Sequence, residues 1–206
     1  MRARASFSVL HNSKRHHSRS ISGFTIVELL IVLIVIAILA AMTIVAYNGV
    51  QQRANNASVV DAASKSLRMI QAYITTRSEY PYTSVNPTSW LCITISSGCA
   101  WSSGVPVSAT FNSNMSTIGS LPLSVPVTGA DRYGVIYYWK GSWVLSSGES
   151  RPVILIYWLQ GTNQQCGLPG VITESGETLI PSTNGYTVGS DNGKTRCEVS
   201  IPGPNG

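Results

Sequence analysis

Residues 24–47 run FTIVELLIVLIVIAILAAMTIVAY, and this stretch decides the architecture. From Leu29 to Tyr47 it is apolar throughout, broken only by Thr43. At 1.5 Å per helical residue the run spans roughly 28 Å, about one bilayer hydrocarbon core, so a transmembrane helix is expected over Leu29 to Tyr47. One carboxylate, Glu28, stands at its head. A carboxylate at the edge of a membrane span costs several kcal/mol when it lacks a partner. The chain therefore needs a reason to keep it.

Upstream, residues 1–23 hold five basic side chains, Arg2, Arg4, Lys14, Arg15 and Arg19, and no acid. Five of the chain's 14 basic residues thus lie in the head, and the other nine match all 9 acids. The net charge of +5 belongs to a head segment and not to a binding face, so nucleic acid is not expected as a partner. All three histidines, His11, His16 and His17, lie in the same head. With the head removed the chain has no histidine, which excludes Ser-His-Asp and Cys-His nucleophile systems and zinc sites with His ligands. No enzymatic activity, cofactor or metal is expected. The first charge after the apolar run is Arg53, so the positive-inside rule places the head in the cytoplasm and everything past Tyr47 outside.

Downstream, all ten prolines fall at or after Pro81. Between Phe24 and Tyr80 there is no proline and one glycine, Gly49, which permits a single helix about 80 Å long. Its first half, residues 24–48, is the membrane half. Its second, residues 49–80, reads as amphipathic. Val50, Ala54, Ala57, Val60, Leu67, Ile70 and Ile74 form the expected apolar stripe, with Gln52, Asn55, Asp61, Lys65 and Arg68 on other faces. Residues 81–206 read as a β-rich globular domain. Residues 135–139 and 142–145 flank Lys140-Gly141 as an expected hairpin. Residues 153–159 form a dense β-branched and aromatic run, expected as a central strand. Residues 178–180 and 186–188 flank an Asn184-Gly185 turn. Residues 197–201 are expected as a last, edge strand ended by Pro202. Residues 83–128 read as long loop with one or two short strands. The fold class expected is α+β, a long N-terminal helix whose second half packs on a small antiparallel sheet.

The junction at the head of the apolar run carries the functional reading. A short basic leader ends in Gly23, Phe24 follows, and Glu28 is the fifth residue after the glycine. Cleavage after Gly23 would give Phe24 a cationic α-amine, which in a helical stack can reach Glu28 of a neighbour. Each charge then neutralises the other in an apolar core and fixes the axial register. The segment from Gly23 to about Arg53 closely resembles the N-terminal signature of type IV prepilins and pseudopilins. The resemblance implies that Gly23 precedes the scissile bond of prepilin peptidase, that the new amine of Phe24 is methylated and that Glu28 serves in assembly. It implies a pilin-like fold and a structural subunit of a type IV pilus or related filament, serving adhesion, motility or DNA uptake. The implied partners are other copies of the chain, prepilin peptidase, a pilus assembly platform and the cytoplasmic membrane before assembly. The implied location is that membrane first and a cell-surface pilus afterwards. One departure is that many filament pilins carry a proline within this helix, whereas none here precedes Pro81. Two other readings are a pseudopilin of a type II secretion-like system and a membrane-tethered binding domain that never polymerises. A secretory signal peptide fits less well, because the apolar run is too long and no Ala-x-Ala site follows it.

Four cysteines, Cys92, Cys99, Cys166 and Cys197, lie past the apolar run. They allow three pairings, and Cys92–Cys99 with Cys166–Cys197 is favoured for its short loops. The family resemblance points the same way, since pilins often staple a C-terminal loop. A four-thiolate zinc site would need close Cys-x-x-Cys pairs, and there are none. Residues 189–195 mimic a phosphate loop but are one residue short and lack a following helix. Asp191-Asn192-Gly193 lacks the later ligands of a calcium loop. Lys194 and Arg196 are too few for a DNA face, and Tyr137, Tyr138, Trp139, Trp143, Tyr157 and Trp158 read as packing and not as a sugar platform.

Overall fold

A computed structural model of the chain describes residues 23–84, 89–101, 103–123, 125–127, 129–141, 144–172 and 191–204. The class is α+β, a long N-terminal helix followed by a small antiparallel sheet. The first helix, α1, spans Ile26–Arg77. Thr25 caps its start, and its end is marked by Ser78 in the left-handed region (φ 54°). The Ser78 N–H donates to the Ile74 carbonyl at 2.8 Å. By compactness the chain divides into two units, Met1–Val45 and Ala46–Gly206. In the first unit every large apolar side chain of α1 is exposed. Among the described residues α1 is the one helix long and apolar enough to cross a membrane.

In the second unit α1 buries Val59, Ala62, Ala63, Ser66, Leu67, Ile70, Tyr73 and Ile74. Spacings of three and four put these on one face. The expected stripe was right from Leu67 onward and out of phase before it. Val50 is 66% exposed, Ala54 and Ala57 are exposed, and Val60 is only partly buried. The reason is that the helix meets the sheet there through amides. Asn56 pairs with the backbone of Gln160 as a neighbouring strand would: its Oδ1 accepts the Gln160 N–H at 2.7 Å and its Nδ2 donates to the Gln160 carbonyl at 3.0 Å. Gln52 Nε2 donates to the same carbonyl at 2.7 Å, and Asn55 Nδ2 to Gln160 Oε1 at 3.3 Å. Gly161 (φ 87°) follows, and a Cβ there would lie 2.5 Å from Gln52 Nε2. The positive φ of the turn is what favours glycine at that position.

The strands are β1 (Trp90–Cys92), β2 (Cys99–Trp101), β3 (Ser103–Val105), β4 (Val135–Trp139), β5 (Val153–Gln160) and β6 (Lys194–Ile201). Four of them form an antiparallel sheet in the order β1-β4-β5-β6, and β2 pairs with β3 apart from it. Alternation along β5 feeds two cores. Val153, Leu155, Tyr157 and Leu159 face the core shared with α1, and Ile154, Ile156 and Trp158 face a second cluster with Ile136, Leu145 and Val105. That two-sided burial explains why residues 153–159 read as a continuous apolar run. The residues read as a last strand form the end of β6, which begins three residues earlier, at Lys194.

Two expectations fail. Residues 83–128 contain a second helix, α2 (Ala109–Ser116), capped by the Ser108 side chain, which accepts the Phe111 N–H at 3.2 Å. Phe111 and Met115, one turn apart, are both fully buried against the sheet. The expected hairpin of 135–139 with 142–145 does not form, because β4 is flanked by β1 and β5. Val144 bridges Ser150 instead, and the Leu145 N–H donates to the Glu149 carbonyl, so residues 144–150 turn back on themselves. The strands expected at 178–180 and 186–188 lie outside the described residues.

Both rims of the large sheet carry a further stretch of the same chain. On β6, the Ile172 N–H donates to the Glu198 carbonyl at 3.0 Å and the Ser200 N–H to the Gly170 carbonyl at 2.9 Å. On β1, the Cys92 N–H donates to the Pro106 carbonyl at 2.8 Å.

Candidate functional site

The head of α1 is built by Thr25 and Glu28. The Thr25 carbonyl accepts the Leu29 N–H at 3.2 Å, the first bond of the helix. Thr25 Oγ1 accepts the Glu28 N–H at 3.2 Å, and Glu28 Oε2 accepts the Thr25 N–H at 2.8 Å. This is a reciprocal capping box: Thr-x-x-Glu satisfies two backbone donors at a helix start. The Thr25 hydroxyl also donates to the same Oε2 at 2.7 Å. The motif was legible as Thr25-Ile26-Val27-Glu28, yet the sequence reading gave Glu28 an assembly role and no local one. Gly23, Phe24 and Thr25 precede the helix, and a Cβ built on Gly23 meets nothing within 4 Å. The Gly23–Phe24 bond is thus in open, non-helical backbone, and Phe24 is 72% exposed. Leu29 and Tyr47, the expected limits of the membrane run, are both exposed on α1.

The cysteines lie in the second unit, joined as Cys92–Cys99 and Cys166–Cys197. The first bridge closes the loop between β1 and β2. The second joins β6 to the 164–168 segment, where Gly167 (φ 72°) approaches Val60 of α1 so closely that a Cβ would lie 2.9 Å from the valine Cγ1.

The polar residues of the C-terminal strand are engaged internally. Asp191 is fully buried, and its Oδ1 accepts from Arg196 at 2.8 Å, Arg132 Nε at 3.0 Å and Trp158 Nε1 at 3.3 Å. The Arg196 guanidinium lies over the Trp101 ring. Lys194 Nζ donates to the Asp131 and Arg132 carbonyls at 2.7 and 3.0 Å. Burial lowers the Lys194 pKa, against the opposing pull of Asp131. Among the aromatics, Tyr137 and Tyr157 are fully buried, and burial raises both phenols. Tyr138 stacks on Trp90 at 3.7 Å between centroids, and Trp139 meets Tyr80 edge-on. Trp143 lies outside the described residues. No group of three or more His, Cys, Asp or Glu among the described residues could hold a metal ion.

No curated protein and no solved structure matches the chain. Residues 18–44 match the prokaryotic N-terminal methylation motif. The matched segment includes the Gly23–Phe24 junction, the Thr25–Glu28 cap and most of the apolar run, and on it the chain carries the type IV prepilin signature, that of pilin-like and pseudopilin proteins.

Proposed function

We propose that this chain is a structural subunit of a type IV pilus or related filament, cut after Gly23 by prepilin peptidase, N-methylated at Phe24 and polymerised through α1. The observation that carries this reading is the state of α1 beneath the prepilin signature. Its second half fills the domain's own core, while the apolar residues of its first half stay exposed. An apolar surface of that length needs lipid, and then other copies of itself, to leave water. Cleavage supplies the Phe24 amine, and pairing with Glu28 of a neighbour removes both charges from the apolar interior. Strand addition is the competing route to a polymer, and part of each rim of the large sheet already bonds to the chain's own 170–172 and 106 segments. The precursor lies in the cytoplasmic membrane with residues 1–23 inside and the β domain outside, where disulfides persist. Its partners are the peptidase, an assembly platform and further copies.

Mass spectrometry of the mature N-terminus tests processing. The expected product begins at N-methyl-Phe24, and a chain that keeps Met1 or starts elsewhere overturns the reading. Glu28→Ala tests assembly. Loss of filaments, with cleavage intact, is expected, and unchanged filaments would remove Glu28 from the register role.

A further inference from the structure

Past α1, four stretches of the chain enclose a cavity of about 520 Å³ at one end of the large sheet. Tyr80 follows α1, Trp139 ends β4, Glu149 and Pro152 precede β5, and Gly203 and Pro204 follow β6. The Tyr80 and Trp139 rings meet edge-on with centroids 5.0 Å apart, and both pack, partly buried, against the main core. Neither the Tyr80 hydroxyl nor the Trp139 indole N–H has a hydrogen-bond partner among the described residues. Rings buried to that degree ordinarily place such groups on an acceptor. Burial raises the Tyr80 phenol pKa, so the hydroxyl keeps its proton and remains a donor. Acceptors in the same walls are already used. Glu149 is the one carboxylate among the described lining residues, and Arg151 holds both its oxygens, Oε1 at 2.8 Å and Oε2 at 3.0 Å. The Glu149 carbonyl accepts the Leu145 N–H, and the Pro152 carbonyl accepts the Lys140 N–H. Gly203 leaves the Tyr80 hydroxyl uncovered, since a Cβ at that position would lie 2.7 Å from it.

The walls thus offer rings and two donors, with the carboxylate neutralised. A matching ligand is rich in acceptors, poor in donors and faced with apolar rings. We propose that this cavity binds an extended, proline-rich segment of a partner protein. Each prolyl unit presents a carbonyl and an apolar ring, and it has no N–H to leave unpaired. Such a segment is already extended as polyproline II, so seating it costs little ordering entropy, and aromatic-lined clefts are where these segments dock. The chain's own tail shows the same chemistry in place: Gly203 and Pro204, within Pro202-Gly203-Pro204, form one wall against Tyr80. Tyr80 also borders a second cavity of about 470 Å³, together with Pro81 and Asn114, which suits an elongated ligand that continues past the ring. A saccharide fits less well, because its hydroxyls also need acceptors, and Glu149 is committed to Arg151. The site is separate from the filament reading, since no residue of the first unit takes part in it.

Calorimetric titration of the full chain in detergent with an oligoproline peptide tests this. Saturable binding is expected. Trp139→Phe and Tyr80→Phe each keep a ring and remove one donor, and each should weaken binding about fivefold, the scale of one neutral hydrogen bond. Gly203→Leu covers the Tyr80 hydroxyl from the tail and should weaken binding at least as much, with the thermal midpoint unchanged. That third variant decides the matter if a Phe variant is too unstable to titrate. Oligoproline that shows no saturable binding overturns the proposal. So does equal binding by a glycine-serine peptide of the same length, or an affinity that the three substitutions leave unchanged. Saturation by chitotriose in place of oligoproline would assign the cavity to a saccharide and overturn it too.

Discussion

Along α1, the turns from Val59 to Ile74 and the turns from Ile26 to Val45 are one continuous helix in opposite circumstances. The earlier turns are the more apolar, yet their side chains are exposed. The later turns carry Asp61, Lys65 and Arg68 on one side, yet the other side is buried to a few per cent. Apolarity alone therefore does not decide what is buried within one molecule. An opposing surface does: the later turns have a four-stranded sheet and α2 to pack against, and a fully buried isoleucine or leucine there contributes roughly 1.5–3 kcal/mol. The earlier turns have no such surface within their own unit.

The contrast breaks most sharply with a pair of substitutions. Ile70→Asp puts an unpaired charge into the core and should cost about 5 kcal/mol or more, enough to abolish cooperative unfolding of the β domain. Ile36→Asn, in the exposed half, should change the same urea transition by less than about 0.5 kcal/mol in detergent. A shift with Ile36→Asn, or none with Ile70→Asp, would refute the division along α1. The disulfides come next. Loop-closure entropy predicts a loss of about 4 kcal/mol when Cys166 and Cys197, separated by 31 residues, are both replaced by Ala. The loss should be only about 2 kcal/mol for Cys92 and Cys99, separated by 7. Comparable losses in chemical denaturation would show that strain or residual structure, and not loop length, sets the values.

Alkali should act only on the packed half of the molecule. Burial keeps the Tyr137 and Tyr157 phenols protonated above their ordinary value of 10.0. Once pH passes about 10, the unfolded chain loses protons that the folded one keeps, so folding stability falls as pH rises. Two such groups give a slope of up to about 2.7 kcal/mol per pH unit. A flat urea midpoint between pH 9 and about 11 would count against that burial. An effect of the size of the shorter disulfide's is expected where α1 first meets β5. Asn56→Ala deprives the Gln160 backbone N–H of its acceptor and should cost about 2 kcal/mol. Hydrogen exchange at Gln160 would accelerate, and unchanged protection there would mean that the amide pairing does not hold the helix to β5.

Much of this plan was readable along the chain. The proline-free stretch up to Tyr80 announced one helix, and residues 153–159 announced a central strand. Other parts were hidden for physical reasons. The phase of the amphipathic half was misjudged because Asn56 and Gln52 act as apolar residues would, docking on the sheet through bonds that a hydrophobic pattern does not record. Helix α2 went unseen because its eight residues are mostly Ser, Thr and Asn. Only the Ser108 cap and the Phe111–Met115 pair betrayed it. The 144–150 turn was read as a partner of β4 because local turn chemistry cannot tell which strand a segment will meet. At the head of α1 the sequence reading named Gly23, Phe24 and Glu28 but not the bonds between Thr25 and Glu28. Thr25 stood inside the motif and was passed over, although a Thr three residues before a Glu is a helix-start signature in its own right.

The occupied rims of the sheet have a consequence for crowding. Anchoring by a membrane helix confines such domains to a thin layer, where collisions between them are frequent and their orientations are alike. Open strand edges under those conditions would zip neighbours together irreversibly. Here part of each rim already bonds to the chain's own 106 and 170–172 segments, which leaves fewer edge groups for a neighbouring domain to pair with.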